Sequence, residues 1–289
     1  MTTLLQQFID ELQLRGHSPR TIDGYVRAIR LLQEHFQRPP DQVTDSELRQ
    51  YLLYLLRERH YAARTMVVAL CGLRQFYARI LHRSTEAMDA ILPHMKVPVT
   101  RPRIYSPQEV ERLVSAPGLS PRDRSLLMTT YAAGLRVSEV CHLKVSDIIS
   151  ARMQIRVEQG KGPKDRYTIL SPGLLQVLRD YWRLYRPKSW LFPSPDFPDR
   201  PIRSRTAERI FIKAVGIAQL PNHDGIHSLR HSFATHLLEM GVDVITLQRL
   251  LGHTSLATTA AYLHLRADRF LQIKGPLDLI SIPSLQPKS

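Results

Sequence analysis

Gln154–Leu170 reads Gln-Ile-Arg-Val-Glu-Gln-Gly-Lys-Gly-Pro-Lys-Asp-Arg-Tyr-Thr-Ile-Leu, the stretch where helical spacing of apolar residues gives way to short strand-like runs. Ile155-Arg156-Val157 and Tyr167-Thr168-Ile169-Leu170 flank Gly160-Lys161-Gly162-Pro163-Lys164-Asp165. Two β-rich runs around a Gly/Pro turn predict a short β-hairpin whose turn projects two lysines. Helical patterns lie on both sides of it. The expected fold class is therefore mainly α with a small β-hairpin or sheet.

Upstream, Ser106-Pro107-Gln108-Glu109 is a helix start, with an N-cap serine, a first-turn proline and a capping-box Glu, and helical patterns run on through Leu143. Downstream, helices resume from Ser171, with loops at Pro187–Arg203 and Pro221–Gly225. Pro93, Pro98 and Pro102 break the pattern, and Lys96, Arg101 and Arg103 add charge, so residues 93–104 read as a linker. Before it, Leu4, Leu5, Phe8, Ile9 and Leu12 repeat at helical spacing up to Gly16. Ser18-Pro19 opens a second helix carrying Ile22, Tyr25, Val26, Ile29 and Leu32. Thr44 with Glu47 opens a third, and a fourth runs from about Ala62 to Leu81. The layout is a helical bundle over residues 1–92, the linker, and a second domain over 105–289. That domain ends in a tail, Leu277–Ser289, interrupted by Pro283 and Pro287.

Composition narrows the function classes. No run approaches the roughly 18 apolar residues of a membrane span, and Met1–Leu14 lacks a signal peptide's plan, so a cytoplasmic protein with no membrane partner is expected. Two cysteines, Cys71 and Cys141, form no CxxC pair and read as small buried hydrophobes. Lys plus Arg number 40 against 26 acidic residues, a net charge of +14 that attracts polyanions such as nucleic acid. Residues 1–100 carry 13 basic and 10 acidic residues, so most of the excess falls in the second part.

Four stretches of the second part gather chemistry-bearing residues. Ala133-Gly134-Leu135-Arg136-Val137-Ser138-Glu139-Val140 places Arg136 at a helix start, where a guanidinium and helix amides together bind an anion; a surface pair with Glu139 is the plainer alternative. The hairpin turn offers Lys161 and Lys164. His227-Ser228-Leu229-Arg230-His231 sets His227 and Arg230 on one helix face. The spacing of His227 and His231 resembles HExxH zinc sites, but Ser228 stands where Glu is needed and no third ligand has evident spacing. Leu251-Gly252-His253 is followed nine residues later by Tyr262, by itself an ordinary core tyrosine.

Taken in order, Arg, Lys, His-x-x-Arg, Gly-His and Tyr resemble the tyrosine recombinase (phage integrase) family, and length and layout look most like its Xer-type bacterial members. The resemblance extends over the chain as far as Tyr262. It implies an N-terminal helical core-binding domain, 1–92, that closes on duplex DNA, with Arg20, Arg27, Arg64 and Arg74 as contact candidates. The catalytic domain, 105–289, would then act as a site-specific recombinase or integrase. In such an enzyme Tyr262 attacks a phosphodiester, leaving a 3′-phosphotyrosine and a free 5′-hydroxyl, and a second 5′-hydroxyl rejoins the strand without ATP. Arg136 and Arg230 would clamp the phosphate, since guanidinium is bidentate and always charged. His253 would hydrogen-bond the same oxygens, His227 would assist deprotonation of Tyr262, and Lys161, with Lys164 as substitute, would protonate the leaving oxygen. No cofactor or metal is called for. The partners implied are double-stranded DNA and a homo- or hetero-tetramer on paired recombination sites. A silent DNA-binding protein of the same fold, or a type IB topoisomerase-like enzyme, are the alternatives.

Overall fold

The computed structural model describes residues 3–97, 103–158, 165–222 and 224–262. Two compact units divide the chain, Met1–Thr100 and Arg101–Ser289. The predicted turn lysines Lys161 and Lys164 and the tail beyond Tyr262 lie outside the described residues.

The first unit holds α1 (Thr3–Leu14), α2 (Pro19–Phe36), α3 (Asp45–Arg57), α4 (Ala63–Arg79) and α5 (Thr85–Ile91). Their starts follow the predicted chemistry. The Thr21 N–H donates to the Ser18 hydroxyl ahead of Pro19, and Thr44 with Glu47 forms a reciprocal capping box. Phe8, Leu12, Ile29, Leu32, Leu48, Leu73 and Phe76 close one core. α2 and α4 approach closely at Gly72, where a Cβ would sit 2.9 Å from the Tyr25 Cα. The fifth helix goes beyond the expected four. It is under two turns long, too short for a periodic signal, and it starts at a Ser84 cap. Arg74 ties it down by donating to the Leu92 carbonyl and pairing with Asp89, which occupies one of the arginines named for DNA contact.

The second unit contains α6 (Pro107–Val114), α7 (Pro121–Ala132), α8 (Val137–Cys141), β1 (Ile148–Ile149), β2 (Gln154–Val157), β3 (Arg166–Ile169), α9 (Pro172–Tyr185), α10 (Ser204–Ile217), α11 (His227–Glu239), α12 (Val244–Leu251) and α13 (Leu256–Ala260). The hairpin pairs Ile155 with Thr168 and Val157 with Arg166. A two-residue strand, β1, extends it to three antiparallel strands in the order β1-β2-β3. In β3, Arg166 and Thr168 point inward and Tyr167 outward, as strand alternation requires. Thr168 Oγ1 donates to the Ala133 carbonyl at 2.9 Å, fixing β3 against the turn between α7 and α8. Leu126, Leu135, Val140, Ile155, Phe192, Phe211 and Leu229 share the main core. Phe233, Ala234, Leu238, Leu247, Leu251 and Tyr262 make a second cluster that holds the chain's last described residues on α11 and α12. Cys141 is buried and Cys71 half-buried. Among the described residues no helix is long and apolar enough to cross a membrane.

Candidate active site

Gly134 creates the first corner of the site. Its φ of +61° ends α7, and a Cβ there would lie 2.3 Å from the Phe233 ring, so only glycine lets α11 pack this close. The chain re-enters helix at once with Arg136 as the N-cap of α8. The Arg136 N–H donates to Glu139 Oε2 at 2.7 Å and its guanidinium to Oε1 at 2.8 Å, while its side chain stays 37% exposed. The pairing of Arg136 with Glu139 is thus real, but Glu139 is no surface group.

Glu139 is the hub of three guanidiniums. Arg166 grips it with both terminal nitrogens, at 2.6 and 2.8 Å, and donates its Nε–H to the Leu250 carbonyl at the end of α12. Arg230 reaches it at 3.5 Å. Burial by itself would raise the carboxyl's pKa. The hydrogen bonds and charge of Arg166, joined by the Arg136 N–H and the Arg230 charge, outweigh that and hold it at about 2. One carboxylate facing three guanidiniums leaves the cluster with an excess of two positive charges.

Arg230 is 1% exposed, and its fork is fully aimed by the fold. It donates to the carbonyls of Gly134 at 2.8 Å and Leu251 at 2.6 Å, and to His253 Nε2 at 3.1 Å. Burial and the neighbouring Arg136 pull its pKa down to about 10, which still leaves it charged at neutral pH. Gly252, with φ of +64°, caps α12 and turns the chain so that His253 meets this fork. Because Arg230 can only donate, His253 Nε2 accepts, which assigns the ring proton to Nδ1, 2.9 Å from the buried Thr259 hydroxyl. Burial and the charges of Arg230, Arg136 and Arg166 keep His253 unprotonated, with a pKa of about 4.

Tyr262 follows α13, its N–H bonded to the Thr259 carbonyl, and its ring lies parallel to that of His253 at 6.4 Å between centroids. Burial pushes its phenol pKa up, and the charges of Arg230 and Arg136 oppose the shift. Its hydroxyl is 2.8 Å from His231 Nδ1. His227 stands one turn earlier on α11, its ring 5.1 Å from that of His231. Burial, then Arg230 and Arg136, lower the His227 pKa.

The fold therefore brings Arg136, Arg230, His253 and Tyr262 together, with His227 beside them; Lys161 falls outside the described residues. Three participants escaped the sequence reading: Arg166, Thr259, and His231 as the group on the tyrosine hydroxyl. Arg166 carried one usable signal, a charged residue on the inward face of a strand. Among the described residues no group of three or more His, Cys, Asp or Glu side chains could hold a metal ion.

Comparison with known proteins gives a consistent picture. The family model for the phage integrase family matches residues 103–269, and that for the phage integrase N-terminal SAM-like domain matches residues 4–87. A Sinorhizobium fredii protein with an integrase/recombinase name, y4qK, is 42% identical over 99% of this chain and 92% of its own. Tyrosine recombinase XerA of Thermococcus kodakarensis is 33% identical over 96% of both chains. Among solved structures, a lambda integrase tetramer bound to a Holliday junction shares the fold at a TM-score of 0.74 and 21% identity, covering 90% of this chain and 76% of that one.

Proposed function

The chain belongs to the phage integrase family and is a tyrosine-type site-specific recombinase, and on that premise we propose that Tyr262 is its nucleophile and that Arg136, Arg230, His253, His227 and Lys161 complete the catalytic set. The observation that carries this assignment is the Tyr262 hydroxyl buried within the field of Arg230 and Arg136, beside a cluster with two uncompensated positive charges. Attack on a phosphodiester concentrates negative charge on the nonbridging oxygens, and cations fixed in advance stabilise that charge without reorganising. Arg136, the exposed fork, meets the phosphate first. Arg230 cannot turn away, because two carbonyls fix its other N–H groups. Glu139 and Arg166 set the orientation of both arginines.

His253 reaches the phosphate by giving up its Arg230 bond and moving its ring proton to Nε2, which then donates to a nonbridging oxygen while Nδ1 accepts from the Thr259 hydroxyl. His227, its pKa lowered by burial and by both arginines, completes the set from the first turn of α11. Lys161 keeps the role the family resemblance gives it, protonating the 5′-oxygen as it leaves, with Lys164 as the less favoured donor. The product is a 3′-phosphotyrosine, and attack by another strand's 5′-hydroxyl reverses the step with no ATP.

The chain is further assigned to the Xer type, on the strength of near end-to-end correspondence with a Xer protein. Residues 1–92 form the helical DNA-clamp domain, 93–104 the linker and 105–289 the catalytic domain. The partner is duplex DNA, and the active assembly is a tetramer on paired sites, a reading supported by the junction-bound tetramer of lambda integrase. Trapping on nicked duplexes of randomised sequence tests the reading. The protein should form an adduct, and an added strand with a 5′-hydroxyl end should release it as a new joint. Relaxation of supercoiled DNA by monomers, with no strand exchange, would favour a topoisomerase instead. DNA binding with no adduct would mark a silent binding protein.

A further inference from the structure

The imidazole on the Tyr262 hydroxyl belongs to His231, whose Nδ1 lies 2.8 Å from it. Successive residues of a helix are rotated by about 100°. His231 therefore lies about 40° round α11 from His227 and about 100° from Arg230, and it is the ring that meets the residues following α13. We propose that His231 accepts the proton of Tyr262 as the tyrosine attacks, and returns it to the same oxygen when the strand is rejoined. This rests on Tyr262 being the nucleophile, and it places at His231 the proton transfer that the family resemblance gives to His227.

The step balances. Tyr262 Oη bonds to phosphorus, its proton passes to His231 Nδ1, and the bond from phosphorus to the 5′-oxygen breaks. That oxygen takes a proton from the hairpin lysine. In this arrangement the Tyr262 O–H donates and His231 Nδ1 accepts, which requires the ring proton of His231 on Nε2. The groups that face His231 are His227 and Arg230 on α11, Asp224 just before it, and His253 and Tyr262 from the far side. Burial and the positive neighbours keep the ring neutral, with its lone pair free, at a pKa of about 4. An arriving phosphodiester acts with the opposite sign and makes His231 more basic. The transfer is needed only as the new bond forms, because a phenol oxygen bonded to phosphorus no longer holds a proton.

Single-turnover adduct formation on a nicked duplex tests this with H231N, H231Q and H227N, each checked for DNA binding and thermal melting. Asn at 231 can accept the phenol's hydrogen bond but not its proton. Its adduct rate should fall by about 100-fold or more with DNA binding retained. Replacing Tyr262 by 3-fluorotyrosine, a more acidic phenol, should recover much of that loss, and none of any loss in H227N. Wild-type protein that forms no adduct would remove the nucleophile reading itself. Wild-type adduct with H231N at an undiminished rate would overturn this proposal alone, as would a faster rate, which would make His231 a latch. Rescue by fluorotyrosine in H227N alone would return the role to His227. Nitrogen NMR of the unmodified protein offers a check independent of the variants: His231 should carry its proton on Nε2, and protonation at Nδ1 would overturn the proposal.

Discussion

Glu139→Gln isolates the ionic hub on which the site is built. The carboxylate accepts two bonds from Arg166, at 2.6 and 2.8 Å, and one each from the Arg136 side chain and backbone. It titrates at about 2 when folded, against 4.5 for an ordinary Glu. A carboxyl with that difference contributes about 3 kcal/mol to stability at neutral pH. An independent route gives a similar size, since breaking a buried ion pair costs ~3–5 kcal/mol by leaving charge uncompensated. Glutamine has the same shape but leaves Arg166 and Arg230 buried without a counter-charge. Urea unfolding near pH 7 should find the second unit of Glu139→Gln about 3 kcal/mol less stable, with a Tm lower by about 6–12 °C. Because the folded pKa is depressed, the stabilisation is fully present above 4.5 and is lost as the pH falls toward 2. The two proteins should therefore converge in acid. A gap below ~1 kcal/mol at neutral pH, or one that persists unchanged in acid, would show that Glu139 is not the ionic hub of the site.

Three further outcomes follow from the same geometry. Gly134→Ala forces a Cβ against the Phe233 ring at a φ of +61°, and should cost about 2 kcal/mol or more in urea unfolding. Thr259→Val keeps the shape but removes the partner of His253 Nδ1; adduct formation should slow about tenfold, while Thr259→Ser stays near wild type. Arg136→Lys retains charge but loses the fork, so filter binding should show DNA affinity within a few-fold of wild type and single-turnover cleavage slower by about 100-fold.

Local signals carried most of the fold and part of the site. The Ser18-Pro19, Thr44/Glu47 and Ser106-Pro107-Glu109 starts are made by neighbours in sequence, so the helices they open were legible. β1 was not, because a two-residue strand exists only through its pairing with Ile155 and Gln154. The same distinction divides the site. Arg136, Arg230, His253 and Tyr262 lie in motifs whose order is visible along the chain. Arg166 has its partners 27 positions earlier and 84 positions later, and nothing near it in sequence announces either one. His231 meets Tyr262 across 31 positions, so the sequence could show the two histidines of α11 but not which of them the tyrosine would reach.

The proposed chemistry has the phenol of Tyr262 bond to DNA phosphorus inside the Arg136–Arg230 cluster. Peptide mass mapping of the trapped adduct tests it most directly, after nuclease digestion has left a nucleotide remnant on the protein. The remnant should sit on the peptide containing Tyr262, joined through a 3′-phosphate, and Tyr262→Phe should give no adduct. A remnant on any other side chain, or an adduct that survives Tyr262→Phe, would contradict it.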